Sequence, residues 1–347
     1  MLFSGLLDLP WWGNVIAALL LTHVTIVSVT LFLHRGMAHR AVAFHPVAAH
    51  FFRVWLWLTT GMATREWVAV HRKHHAKRET PDDPHSPQVY GIHRVLWGGV
   101  FLYVKEAANP ATISRYGDGT PDDWLERNLY SRYVLLGLTM MALTDILVFG
   151  LVPGALIFIA QIAWIPFWAA GVINGVGHFW GYRNWSTDDA STNIFPIGIL
   201  IGGEELHNNH HAYTTSARFS NRWYEFDIGW MYLRLMQALG LAKIKRVVPV
   251  PKFIEPRTAV DEAMLQAVML HRYDVIDSYE WSMKRVGPTG PEKATMAQMH
   301  DELLALWGRS LASREQLLAR LQGWCQRADS SGIQPLAEFS KHLRSYA

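Results

Sequence analysis

Histidines fall in three short boxes whose spacings suit metal chemistry. They are His34-Arg-Gly-Met-Ala-His39, His71-Arg-Lys-His74-His75 and His207-Asn-Asn-His210-His211. The second and third share the pattern H-x-x-H-H. On a helix, residues three and four apart share a face, so each of these boxes is expected to aim three imidazoles at one place. In the first box the two histidines are five apart at a helix end, which also lets both rings lean one way. Imidazole is the commonest side-chain metal ligand and suits zinc, copper, iron and nickel.

Solvated basic surface would not repeat one box twice, each time beside a long apolar segment. A catalytic zinc ion takes three protein ligands and keeps one position open. Eight box histidines are too many for one such ion and suit two metals held close together. The zinc-hydrolase pattern H-E-x-x-H is absent. Only Glu204 and His207 match the Glu-x-x-His spacing of carboxylate di-iron bundles.

The elements that must position these boxes are apolar helices. Half of the 347 residues are apolar and 16 are tryptophan, a composition that fits a membrane protein with a soluble part. The net charge of +3 gives no reason to expect a nucleic-acid partner. The single cysteine, Cys325, allows no internal disulfide and fits a reducing compartment. The N-terminus lacks the basic region of a secretory signal.

Residues 10–33 carry no charge and are long enough to cross a bilayer core of about 30 Å, with Trp11 and Trp12 at the start. Residues 133–152 and 154–176 read as a helical hairpin turning at Pro153-Gly154, with Asp145 near its outer end as an interfacial anchor. Residues 44–63 lie between two boxes that must reach the same metals, so they are expected to lie along the interface as a helix. Tyr90 to Val104 reads as a second interfacial helix. The basic residues after the first span place that end in the cytoplasm. The expected fold is therefore an all-α integral membrane protein. It has three transmembrane helices, with interfacial helices under a cytoplasmic helical catalytic cap.

Prolines at 249, 251 and 256 mark a boundary. The expected division is a membrane-bound domain over 1–245 and a cytoplasmic extension over 246–347. The extension carries leucines and charges at helical spacing, broken at Gly287-Pro-Thr-Gly290 and Ser330-Ser-Gly332.

The boxes resemble those of the integral-membrane fatty acid desaturases, the histidine-rich di-iron family, and most of all its bacterial delta-9 acyl members. The likeness extends to Glu66-Trp67, Asp83-Pro84-His85, Asn174-x-x-x-His178, Gly181-Tyr182-Arg183 and Gly202-Gly203-Glu204-Glu205. It covers about residues 10–235. The resemblance implies two irons held by His34, His39, His71, His74, His75, His178, His207, His210 and His211. It implies that Asn174 meets the metal through water and that Trp67 lines the bend of an acyl tunnel. Asp82 and Asp83 are expected to support ligand imidazoles by hydrogen bonding, Asp83 foremost. The family does not count His85 as a ligand.

The implied activity is oxygen-dependent insertion of a cis double bond at the delta-9 position of a saturated acyl chain, carried by phospholipid or coenzyme A. No side-chain acid or base can remove an unactivated hydrogen, so metal and dioxygen are needed. Electrons must come from outside, from a ferredoxin or a cytochrome with its reductase. Arg65, Arg72, Lys73, Lys77 and Arg78 offer such a donor a basic face, or offer it to lipid headgroups. The resemblance implies a multi-pass protein of the bacterial inner membrane with a cytoplasmic active site. The alternatives are a histidine-box hydroxylase or monooxygenase of a lipid or alkane, and a metal transporter. A transporter would place histidines at bilayer depth within its spans; here they lie at span ends.

Overall fold

The computed structural model describes residues 2–284, 291–307 and 312–347. The described chain is mostly helical and divides into two compact units, Met1–Val248 and Pro249–Ala347. In the first unit, α1 (Trp11–Ser28) runs without a break into a π-helix, Val29–Ala38. Then come α2 (Pro46–Thr59), α3 (Thr64–Lys77), α4 (Pro87–Tyr90), α5 (Ile92–Ala107) and α6 (Pro110–Tyr116). The hairpin is α7 (Val134–Phe149) and α8 (Leu151–Ile165), and α8 continues through another π-helix, Pro166–Ile173. The short α9 (His207–Ala212) and α10 (Ile228–Ala238) follow. Among the described residues, two small two-stranded pairings join segments far apart in sequence: Val42–Phe44 lies antiparallel to Ala242–Ile244, and Ile197–Gly198 lies parallel to Phe226–Asp227.

Among the described residues, two helices are long and apolar enough to cross a membrane, Trp11–Ala38 and Leu151–His178; Val134–Phe149 is apolar but shorter. The hairpin turns at Gly150, not at Pro153-Gly154. Gly150 has φ +94°, where an added Cβ would lie 2.8 Å from the Ser4 backbone. Pro153 sits in the first turn of α8, where its missing N–H costs nothing. Asp145 is not an interfacial anchor either. It is buried and accepts from Gln161 Nε2 at 2.7 Å, clasping α7 to α8. Residues 2–7 hydrogen-bond to the same turn, Leu6 N to Leu147 O at 3.0 Å and Leu7 N to Val148 O at 2.8 Å.

Helix α2 occupies the middle of the stretch expected at the interface. It packs on α1 and α7, where Trp57 Nε1 donates to Tyr133 O at 3.0 Å. Its Arg53 is buried and reaches Asp123 and Glu126 at 2.6 and 3.0 Å.

Arg35, inside the first box, ties together the segments around residues 202, 217 and 227. Its guanidinium pairs with Asp227 at 2.9 and 3.1 Å, donates to Ala217 O and Gly202 O, and lies 3.8 Å over the Phe219 ring. Asp227 also caps α10. Gly203 has φ +97°, and an added Cβ would sit 2.3 Å from Asp227 Oδ1, so only glycine fits beside this pair. Both side chains are fully buried. Arg35→Met should therefore leave a buried carboxylate uncompensated and cost about 3–5 kcal/mol. Denaturation of the detergent-solubilised protein checks this; unchanged stability would contradict it.

The second unit contains α11 (Glu262–Leu270), α12 (Arg272–Met283), α13 (Pro291–Trp307), α14 (Arg314–Ser330) and α15 (Gln334–Leu343). Their apolar stripes meet in one core around Met264, Tyr279, Leu303, Trp324 and Phe339. Ser313 and Gln316 form a capping box at the start of α14. The break expected at Gly287-Pro-Thr-Gly290 lies outside the described residues. The break at Ser330-Ser-Gly332 separates α14 from α15.

Candidate metal centre

The first box lies on the π-helix that ends the first long span. A π-helix bonds i to i+5, and His39 N donates to His34 O at 3.0 Å. This puts residues five apart on one face, so both imidazoles reach one cluster. The second box lies on the last turns of α3 and the third on α9. Neither H-x-x-H-H box serves a single place, contrary to the expectation from helical spacing. His71 and His75, one turn apart, join His34, His39 and His210; His74 turns to the other side and joins His178, His207 and His211. Each box therefore feeds two adjacent clusters, one of five imidazoles and one of four. Within each, one ring nitrogen per residue lies within 4.8 Å of all the others.

The hydrogen bonds of the rings decide whether these nitrogens suit a cation. His34 Nδ1 lies 2.7 Å from Glu204, His74 Nδ1 3.0 Å from Asp83, His211 Nδ1 2.9 Å from Asp189 and His178 Nδ1 3.3 Å from Glu79. A carboxylate on Nδ1 holds the proton there and leaves Nε2 as a bare lone pair. Those Nε2 atoms nonetheless converge on other ring nitrogens. His34 Nε2 is 3.1 Å from His210 Nε2, and His178 Nε2 is 3.0 Å from His207 Nε2. His74 Nε2 and His211 Nε2 are buried without a partner. The partnerless, buried Nε2 lone pairs of His74 and His211, and ring nitrogens gathered to 3.0–3.1 Å, are what a cation would satisfy, so the donor set fits two metal ions.

Charge points the same way. Burial first, and then the neighbouring imidazoles, push His39, His71, His75, His207 and His210 well below the usual histidine range. Burial also pushes His211 down to about 3, against the pull of Asp189. At neutral pH these rings are unprotonated, as metal ligands must be. Burial opposes ionisation of Asp83 and Asp189, yet His74 beside the first and His211 with Arg78 beside the second hold both well below the usual carboxylate range.

Asp83 stands where its sequence motif put it, and it also accepts from Glu79 N and His85 N. Its neighbour Asp82 faces Lys77 at 3.2 Å instead. Glu79, Asp189 and Glu204 were missed as partners of the boxes. Glu204 lies in the quoted Gly-Gly-Glu-Glu run, but nothing in the sequence pairs it with His34, 170 residues away.

His85, set aside in the sequence, is buried and stacks on His74 with ring centroids 4.5 Å apart. Both its ring nitrogens lack a partner. Burial and His74 push it down to about 3, so it too is neutral.

An apolar cavity opens onto both clusters. His34 and His71 of one cluster line it, as do His207 of the other and His85. Trp67 lines it as well, stacked on His71 at 5.0 Å with the rings 10° apart, and Asn174 lies on its wall. The rest is largely aliphatic, with Val29, Met62, Val100 and Ile173 among the lining residues.

The basic face expected near the second box is mostly committed internally. Arg72 donates to the carbonyls of Met37, Ala38, Tyr116 and Asp118. Lys73 pairs with Glu106 at 2.8 Å, and Arg78 pairs with Asp189. Arg65 is exposed.

Imidazoles in two adjacent groups, one buried and one partly so, opening on an apolar cavity, fit the class of histidine-box metal proteins acting on an apolar substrate. The fatty acid desaturase family profile matches residues 10–244. The sn-1 stearoyl-lipid 9-desaturase of Synechocystis sp. is 31% identical over 245 residues, which cover 69% of this chain and 73% of that protein. The enzyme of the same name from Anabaena variabilis is 30% identical, over 67% of this chain and 83% of that protein. Delta-9 acyl-lipid desaturase 1 of Arabidopsis thaliana is 29% identical, over 67% and 74%. The chain belongs to the fatty acid desaturase family, on its delta-9 desaturase-like side, and is an oxidoreductase of lipid metabolism.

Proposed function

We propose that this protein is a delta-9 acyl-lipid desaturase that inserts a cis double bond into the saturated acyl chain of a membrane lipid. The observation that carries the reading is the apolar cavity that touches both imidazole clusters, since an acyl chain lying in it would pass both metal positions. The lipid carrier is favoured over coenzyme A because the relatives named above act on acyl or stearoyl lipids by name.

His34, His39, His71, His75 and His210 would hold one iron, and His74, His178, His207 and His211 the other. Asn174 would reach the second through a water. When bound, the two irons supply the oxidising power, drawn from dioxygen, that breaks unactivated C–H bonds. Removal of two hydrogens with reduction of dioxygen to two waters needs two electrons and two protons more. A ferredoxin, or a cytochrome with its reductase, supplies the electrons, docking near exposed Arg65. The chain's own part is positional. Glu79, Asp83, Asp189 and Glu204 fix the tautomers of four ligands. Trp67 and the aliphatic wall bend and seat the chain and keep water out.

The unit 1–245 is read as the membrane-bound catalytic domain and 246–347 as a cytoplasmic extension. Residues 10–33, 134–149 and 151–176 would form three crossings of the inner membrane, with 44–63 along the cytoplasmic interface. Support comes from the hydrogen bonds of residues 2–7 to the Gly150 turn, since that turn and the N-terminus then share the end away from the boxes. Cysteines introduced one at a time in a Cys325→Ser background test this. With a membrane-impermeant reagent on intact cells, Asp8→Cys should label, whereas Asp82→Cys and Ser330→Cys should not. Labelling of Asp82→Cys from outside would refute the topology.

The activity is tested by expression in a host that lacks delta-9 unsaturation, locating double bonds separately in phospholipids and acyl-CoAs by mass spectrometry. Delta-9 unsaturation appearing first in phospholipid is expected. Hydroxylated chains would identify a hydroxylase instead, and unsaturation first in acyl-CoA would overturn the lipid carrier.

A further inference from the structure

The two clusters differ in what stands behind the imidazoles. In the four-histidine cluster, three of the rings have a carboxylate on Nδ1: His74 has Asp83, His178 has Glu79 and His211 has Asp189. In the five-histidine cluster, among the described residues, only His34 has one, Glu204. His75 Nδ1 and His210 Nδ1 are buried with no partner.

The difference survives the nearby cations. Arg78 pairs with Asp189, leaving Asp83 and Glu79 with no Lys or Arg partner among the described residues behind the four-histidine cluster. Behind the other, Glu204 accepts from Thr30 Oγ1 at 2.6 Å. Asp83 and Asp189 are buried, so solvent screens them little.

A carboxylate on the far nitrogen strengthens an imidazole as a donor, and nearby negative charge favours the more highly charged metal ion. We propose that Asp83, Glu79 and Asp189 make the two metal positions electronically unequal. The iron at the four-histidine position is then the one oxidised first and reduced last. These three carboxylates are positioning and tuning residues; they touch ligands, not substrate. The inference rests on the two-iron reading above.

Stepwise oxidation of the 57Fe-loaded, fully reduced protein with ferricyanide, followed by Mössbauer spectroscopy, tests it. Wild type should show two distinct ferrous signals, of which one converts first. Asp189→Asn, Asp83→Asn and Glu79→Gln should each alter that signal alone. Asp189→Asn should also make that iron harder to oxidise by about tenfold in equilibrium constant, about 59 mV for one electron. Asp189→Glu, which keeps the charge, should restore most of the shift. Glu204→Gln should alter the other signal. A variant that loses one iron and retains the other supports the assignment equally. Two irons that convert together in wild type, or that respond alike to all four charge-removing substitutions or are lost together in them, overturn this inference and leave the di-iron reading standing. A wild-type protein that binds no iron pair contradicts that reading first.

Discussion

His74→Ala is expected to lose iron and desaturation together, with turnover falling by well over 100-fold. The ring is 1% exposed, its Nδ1 is fixed by Asp83, and its Nε2 is buried with no protein partner. Removing even an outer-shell partner of a metal ligand typically costs about 10–100-fold in affinity or activity; removing the donor itself leaves three imidazoles at that position. His85→Ala is the matched comparison. That ring stacks on His74 and gathers with it and Asp83, but it joins neither of the two imidazole clusters, and the variant should keep both irons. Metal analysis and turnover on the two variants decide the matter. A His74→Ala protein with full iron and near-normal turnover would rule out His74 as a ligand.

His178→Ala should abolish desaturation while the protein stays in the membrane. His178 closes the second long apolar helix and is wholly buried. It sits between Glu79 on Nδ1 and His207 on Nε2. A rigid helix end is a sound place for a donor that must not move. The helix itself does not depend on this ring, so membrane insertion should survive. Near-normal turnover in the variant, measured beside its membrane fraction, would reduce His178 to a structural histidine.

The histidines were legible because their spacing repeats, and the long spans because uncharged runs of that length have few other uses. Asp83 was legible because it follows its histidine closely. The division of each H-x-x-H-H box between two clusters was not. Helical periodicity says which residues share a face, but not that the axis of α3 runs between two sites, so that His71 and His75 face one and His74 the other. The π-helix under the first box was equally hidden, although its five-residue repeat is what lets His34 and His39 act together. Glu79, Asp189 and Glu204 lie far in sequence from the rings they hold, and pairing of that range is set by the fold. The hairpin turn was misplaced because proline was read as a break, when in a first helical turn it is tolerated; the φ of Gly150 ends α7 instead.

The most direct test of the whole account is the metal content of the purified protein, measured by elemental mass spectrometry per chain. Two irons are predicted, with desaturation on reconstitution proportional to their occupancy. A single zinc ion, with no iron-dependent activity after reconstitution, would contradict it.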